Sequence, residues 1–180
     1  MKNTSLTITL SLITLMACGG SSEDSTNTAT SKSDLMADLS NTSWEKTCFP
    51  YQEVSTEESK VTWNISVKLR VDSSLKSTYK RTYFRPKDTT CTSAVFDTTE
   101  ISRFEITKKV TTEEGIEAYA LNETNIFNSN NTTLPPNYTL IYVNSEKLYF
   151  GQKSGDNLGE TPETRHSSIS LDSYYSQILN

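Results

Sequence analysis

The sequence predicts an all-β domain of antiparallel strands, a barrel or a sandwich, and three observations carry that expectation. Residues 60–71 alternate apolar and polar side chains for a full strand length. Further alternating runs follow one another across short turn sequences. Nowhere do strands alternate with helical patterns, as the βαβ order of a parallel sheet requires. Every Trp, Tyr and Phe lies beyond residue 43, so the packed domain is expected over 38–180. About 140 residues can bury roughly two-thirds of their unfolded surface, enough for one core.

The first strand is the clearest. Val61, Trp63, Ile65, Val67, Leu69 and Val71 share one face, with Thr62, Asn64, Ser66, Lys68 and Arg70 on the other. Asp72-Ser73-Ser74 has turn chemistry, and the next strand, 77–84, sets Tyr79 and Tyr83 against Lys80 and Thr82. Phe104, Ile106 and Val110 then alternate with Glu105, Thr107 and Lys109. Thr112-Glu113-Glu114-Gly115 reads as a hairpin loop whose Gly takes the left-handed position, and 116–121 return as the partner strand. The Asn-rich stretch 122–137, closing with Pro135-Pro136, reads as a long loop. A last hairpin, 138–143 and 147–151, turns across Asn144-Ser145-Glu146. Leu171, Tyr174, Tyr175 and Ile178 recur at helical spacing, so a short C-terminal helix competes with an extended closing segment. A membrane-spanning barrel needs roughly eight or more strands of about ten residues with an apolar outward band. Here the loops are long, and Lys68, Arg70, Lys80 and Arg81 fall mid-strand.

Ahead of the domain, Lys2 supplies a positive start and 6–17 an uncharged, largely apolar run. As a helix that run reaches about 18 Å, short of a ~30 Å hydrocarbon core, so it is a secretory signal rather than a membrane span. Leu15-Met16-Ala17-Cys18 resembles the lipobox of bacterial lipoproteins: an aliphatic residue, two more with a small one last, then Cys. Met16 is bulkier than the usual second residue. The resemblance implies a diacylglycerol on the Cys18 thiol, cleavage just before it, and a further acyl chain such as palmitate on the new amine. Several chains make a lasting anchor where one would not. Residues 1–17 are then the signal peptide, and 18–37 a lipidated, polar tether too poor in apolar residues to order itself. About 20 such residues span roughly 25 Å. Gly19, not Asp, follows the Cys, which by the same resemblance implies the outer membrane with the domain facing the periplasm.

With Cys18 lipidated, Cys48 and Cys91 remain in an oxidising compartment, where a leftover pair usually joins. The bridge would close a loop of about 44 residues, worth about 4 kcal/mol in the chain-entropy picture. Two buried free thiols are the alternative; the spacing is not the C-x-x-C of a redox pair.

Leu39-Ser40-Asn41-Thr42-Ser43-Trp44 resembles the opening of lipocalin-type barrels, where a Gly precedes by two a Trp that plugs one end. Thr42 stands in the place of that Gly, and a second, Thr-Asp-Tyr-like motif has no counterpart. The resemblance implies an antiparallel meander β-barrel, lipocalin-like, with Arg165 in the role of the late Arg that stacks over the Trp.

Charge and composition exclude several functions. With 17 Lys+Arg against 22 Asp+Glu, net charge −5 and sequence pI about 5.0, no basic stripe for nucleic acid is expected. A mean hydropathy of −0.53 excludes a polytopic membrane protein. One His and three Cys leave too few parts for most metal sites and triads, so no cofactor, no metal and no enzymatic activity are expected. His166 reads as an exposed loop residue, and no G-x-S-x-G elbow accompanies it. Glu57-Glu58 and Glu113-Glu114 read as solvated turns, since strand neighbours point to opposite faces and cannot share a proton. Residues 155–160 lack the spacing of a calcium loop and read as a glycine turn. Sequons at Asn64 and Asn131 arise by chance in so Ser/Thr/Asn-rich a chain.

The remaining constellation is apolar. Trp63, Ile65, Val67, Tyr79 and Tyr83 would line one inner wall, and Phe104 and Ile106, with Tyr142 or Phe150, another. A barrel of about eight strands is either filled by its own side chains or holds one small ligand, and Tyr hydroxyls supply a few oriented polar groups. The expected function is therefore a membrane-anchored, non-enzymatic envelope lipoprotein that binds a small apolar or amphipathic molecule in its barrel. The alternative is a solid-core structural lipoprotein that docks an envelope protein partner, above all through 122–137.

Overall fold

The computed structural model describes residues 31–53 and 61–179. Among these, one helix and eight strands follow in order: α1 (Lys32–Leu39), β1 (Thr42–Glu53), β2 (Val61–Val71), β3 (Lys76–Phe84), β4 (Ala94–Thr111), β5 (Glu117–Asn128), β6 (Asn137–Asn144), β7 (Lys147–Phe150) and β8 (Tyr174–Gln177). Each strand pairs antiparallel with the next, and β8 pairs back onto β1 through Trp44↔Gln177 and Glu45↔Ser176. The result is a closed eight-stranded meander barrel, compatible with a lipocalin-like fold, in which every strand edge has a partner.

The turns form where their chemistry lies. Asp72 Oδ1 accepts Ser74 N at 2.8 Å and Lys76 N at 3.0 Å, folding β2 back into β3. Gly115 sits at φ +80°, and its N–H donates to Thr112 O at 3.0 Å, turning β4 into β5. Cys48 and Cys91 are joined, their Cα atoms 5.5 Å apart, tying a bulge of β1 to the loop before β4.

Three expectations about secondary structure need correction. Half of the Asn-rich stretch is strand, because β5 continues to Asn128 by pairing Phe127 with Ile101 and Asn125 with Ser102, leaving 129–136 as the loop. Pairing along the upper half of β4 overrides the turn preference of Asn. No C-terminal helix forms: residues 174–177 become β8, because they complete the ladder between β7 and β1. The helix lies at the other end, in residues placed in the tether. Ser31 Oγ accepts Asp34 N at 3.2 Å, Asp34 Oδ2 accepts Ser31 N at 3.2 Å, and this reciprocal cap starts α1. Leu35 and Leu39 are buried against the barrel core, so among the described residues the packing extends to α1, ahead of residue 38.

The inward faces of the strands fill the end that α1 shuts. Ile65, Val67, Leu69, Val71, Phe104, Ile106, Leu121, Ile141 and Leu148 pack around Trp44 in one cluster. Trp44 Nε1 donates to Thr42 Oγ1 at 2.8 Å, and that hydroxyl donates to Leu39 O at 2.5 Å. The Thr in the Gly position therefore links the plug to the helix end.

Residues 151–173 leave the barrel and pack across the far face of β5 and β6, where Ile169 joins Ala118, Leu140 and Tyr149 in a separate small cluster. Arg165 belongs to this excursion and does not stack over Trp44. Its Nη1 donates to Leu121 O at 2.6 Å and Thr139 O at 2.9 Å, and its guanidinium lies 5.5 Å from the Tyr138 ring. Glu113 and Glu114 lie exposed in the turn after β4, as expected, and are also anchored there: Ser154 Oγ donates to Glu113 at 2.8 Å, and Ile169 N and the Ser168 hydroxyl donate to Glu114. His166 is buried rather than exposed, Nδ1 2.9 Å from Thr139 Oγ1 and Nε2 donating to Leu158 O at 3.2 Å.

Candidate functional site

At the barrel end away from α1 the inward faces change character. The period-two register of β3 turns Tyr79, Arg81 and Tyr83 to the same side. β4 contributes Thr98, Glu100 and Ser102, β5 Glu123 and Asn125, and β8 Tyr175. Together with Lys46, Tyr51 and Phe150 they enclose a cavity of about 800 Å³, which opens past the exposed Asn130, Thr132 and Pro135 of the 129–136 loop. That volume suits one small molecule.

The floor is polar and charged. Arg81 Nη1 donates to Glu100 Oε2 at 2.7 Å. Burial works against the guanidinium charge, but the attraction and hydrogen bond of Glu100 outweigh it and hold Arg81 above its usual pKa. Lys46 Nζ donates to Ser173 Oγ at 2.7 Å and stands 4.5 Å over the Phe49 ring; burial lowers its pKa.

Glu123 differs from both. Its Oε2 accepts Asn137 Nδ2 at 3.3 Å, while its Oε1 is buried and has no hydrogen-bond partner among the described residues. Burial raises the Glu123 pKa and the charge of Glu100 adds to the rise, with Asn137, Tyr79 and Arg81 opposing. Burial likewise pushes the Tyr79 phenol well up and Tyr175 to about 12, so both stay neutral hydroxyls at ordinary pH.

Above the floor the mouth is aromatic. Tyr83 stacks on Phe96 with centroids 4.4 Å apart, Trp63 meets Phe96 edge-on at 5.3 Å, and Tyr51 meets Tyr83 at 6.3 Å. Phe96 stays 40% exposed and Phe127, near the end of β5, 46%.

Of the residues expected to line a ligand site, Tyr79 and Tyr83 stand on the cavity wall, while Trp63 does not line it and instead meets Tyr83 edge-on at 6.1 Å. Ile65, Val67, Phe104 and Ile106 are packed into the apolar core. Phe150 lines the cavity, whereas Tyr142 packs against Tyr149 on the far face. Arg81, Glu100 and Glu123 were not among the expected residues. Their signal was register: Arg81 lies between Tyr79 and Tyr83, and Glu123 two positions after Leu121. Cys18 and Glu57-Glu58 lie outside the described residues.

Among the described residues no three His, Cys, Asp or Glu side chains come together as a metal site. Comparison with protein-family models, curated proteins and solved structures finds no match to this chain.

Proposed function

We propose that this chain is a ligand-binding barrel of the cell envelope, holding a small amphipathic molecule with its apolar body at the aromatic lip and its polar group on the floor. The observation that carries the reading is an open cavity of about 800 Å³ whose wall includes Glu123, a carboxyl group with one oxygen, Oε1, buried and without a hydrogen-bond partner among the described residues. A buried acceptor without a partner costs about 1–3 kcal/mol, so a small turn of this carboxyl toward a donor on an occupant is favoured. Of the apolar and amphipathic occupants that the sequence suggested, the charged floor favours the amphipathic one. We read the role as binding; His166 is tied between Thr139 and Leu158 and lines no part of the cavity.

The lipobox-like Leu15-Met16-Ala17-Cys18 supports lipid anchoring through Cys18, with 18–31 as the polar spacer before α1. The Cys48–Cys91 bridge supports an oxidising compartment such as the periplasm. Native mass spectrometry of protein purified from its own envelope tests both parts. The expected result is an N-terminal peptide that starts at an acylated Cys18, and an intact mass exceeding the lipidated chain by a component lost on denaturation. An unacylated start overturns the anchor, and a bare chain overturns the cargo.

One feature favours a docking role in addition. Val95 and Ile126, at the same barrel end, are 46% and 53% exposed, an apolar rim that a protein partner in the envelope would cover.

A further inference from the structure

We infer that the floor of this cavity takes a protonated amine, with Glu123 as its counter-ion and the phenols of Tyr79 and Tyr175 beside it. The inference rests on the cavity being a ligand site and adds the chemical class of the occupant.

The argument starts from the floor charges. Arg81 is engaged by Glu100 at 2.7 Å, and Lys46 by Ser173 Oγ at 2.7 Å and the Phe49 ring. Arg81 thus has its counter-ion in Glu100, while Lys46 has one hydrogen bond and makes indole-3-propionate the competing outcome of the test below. The open valence belongs to an acceptor, Glu123 Oε1. A neutral hydroxyl could donate to it, but an ammonium makes a charge-assisted bond roughly twice as strong. The rings of Tyr79 and Tyr175 suit a cation as well as a hydrogen bond. A net charge of −5 on the chain draws cations toward it. Beside the floor, the rings of Tyr51, Tyr83 and Phe150 line the cavity, so the amine should carry an aromatic or alicyclic body.

Binding of this kind moves a proton. Burial shifts Glu123 toward the neutral carboxyl in the empty barrel and an ammonium shifts it back toward the carboxylate, so amine binding is coupled to loss of that proton. The groups facing Glu123 are Tyr79 and Arg81 from β3, Glu100 from β4, Asn137 from β6 and Tyr175 from β8, with Lys46 from β1 lining the same cavity. Amine affinity therefore rises with pH through the titration of Glu123.

Three probes with one body and different heads test the assignment: tryptamine, tryptophol and indole-3-propionate, titrated by calorimetry into the purified protein and into Glu123→Gln. Tryptamine should bind at least roughly tenfold more tightly than either analogue, and Glu123→Gln should cut that preference to about twofold. The comparison of heads on the unaltered protein stands even if the variant folds poorly. Equal binding of all three, preference for the acid, or a preference that survives Glu123→Gln overturns the amine assignment and leaves the cavity a binding site. No binding of any probe overturns both readings.

Discussion

Arg81 Nη1 lies 2.7 Å from Glu100 Oε2 within the barrel, on neighbouring strands that pair Tyr79 with Glu100. Their side chains are only 27% and 12% exposed, so each depends on the other for its charge to be tolerated. Glu100→Gln leaves Arg81 without its counter-ion and should lower stability to urea by about 2 kcal/mol. Lys80 and Asp97 make a similarly short pair at 2.8 Å on the exposed face, and Lys80→Gln should cost about 0.5 kcal/mol or less. Equal losses would contradict the placement of Arg81 inside the barrel.

Glu123 should behave in the opposite sense. Its folded pKa is raised, so the contribution it makes is present in acid and is lost as pH rises through that value, when a carboxylate must ionise while buried. Glu123→Gln should therefore stabilise the empty protein by about 1 kcal/mol at pH 8, raising the melting temperature by a few degrees, and change little at pH 4. Thermal melts at the two pH values check this; a variant less stable at pH 8 would contradict it.

The legibility of the chain divides along these residues. Alternation in 60–71 and the short turns made the antiparallel fold visible, because one buried face imposes period two on the residues themselves. Arg81 carried the same register as Tyr79 and Tyr83, yet a mid-strand charge ordinarily means solvent, and only closure of the barrel reveals its partner across the ladder. Glu123 was hidden within an Asn-rich stretch whose local turn chemistry loses to pairing with β4. The helix at Lys32–Leu39 was hidden by its brevity: it contributes two buried leucines and little periodicity.

Gly159 sits at φ +79°, and a Cβ there would lie 2.6 Å from His166 Nε2. Gly159→Ala should cost roughly 2 kcal/mol or more, from backbone strain and from displacing the buried imidazole. Chemical denaturation measures the loss, and a neutral outcome would show that the 158–168 segment is not held against the barrel as described.

Acid should loosen the same excursion. The Ser168 hydroxyl and Ile169 N–H hold Glu114 at a pKa of about 2, below the ordinary 4.5, so its contribution is present above 4.5 and is lost as pH falls toward 2. Burial lowers His166 from 6.5, so the folded chain binds fewer protons there than the unfolded one and stability falls as pH drops through this range as well. Glu114→Gln should flatten the lowest part of the stability profile and leave the slope near pH 6 intact. An unchanged profile below pH 4 would contradict the role of Glu114.

The central claim is that the barrel mouth receives a ligand, and ring-labelled tyrosine NMR tests it most directly. On titration with tryptamine, the signals of Tyr79, Tyr83 and Tyr175 should shift together and saturate, while Tyr142 and Tyr149 on the far face stay in place. Shifts without saturation, or shifts as large at Tyr142 and Tyr149, would contradict it.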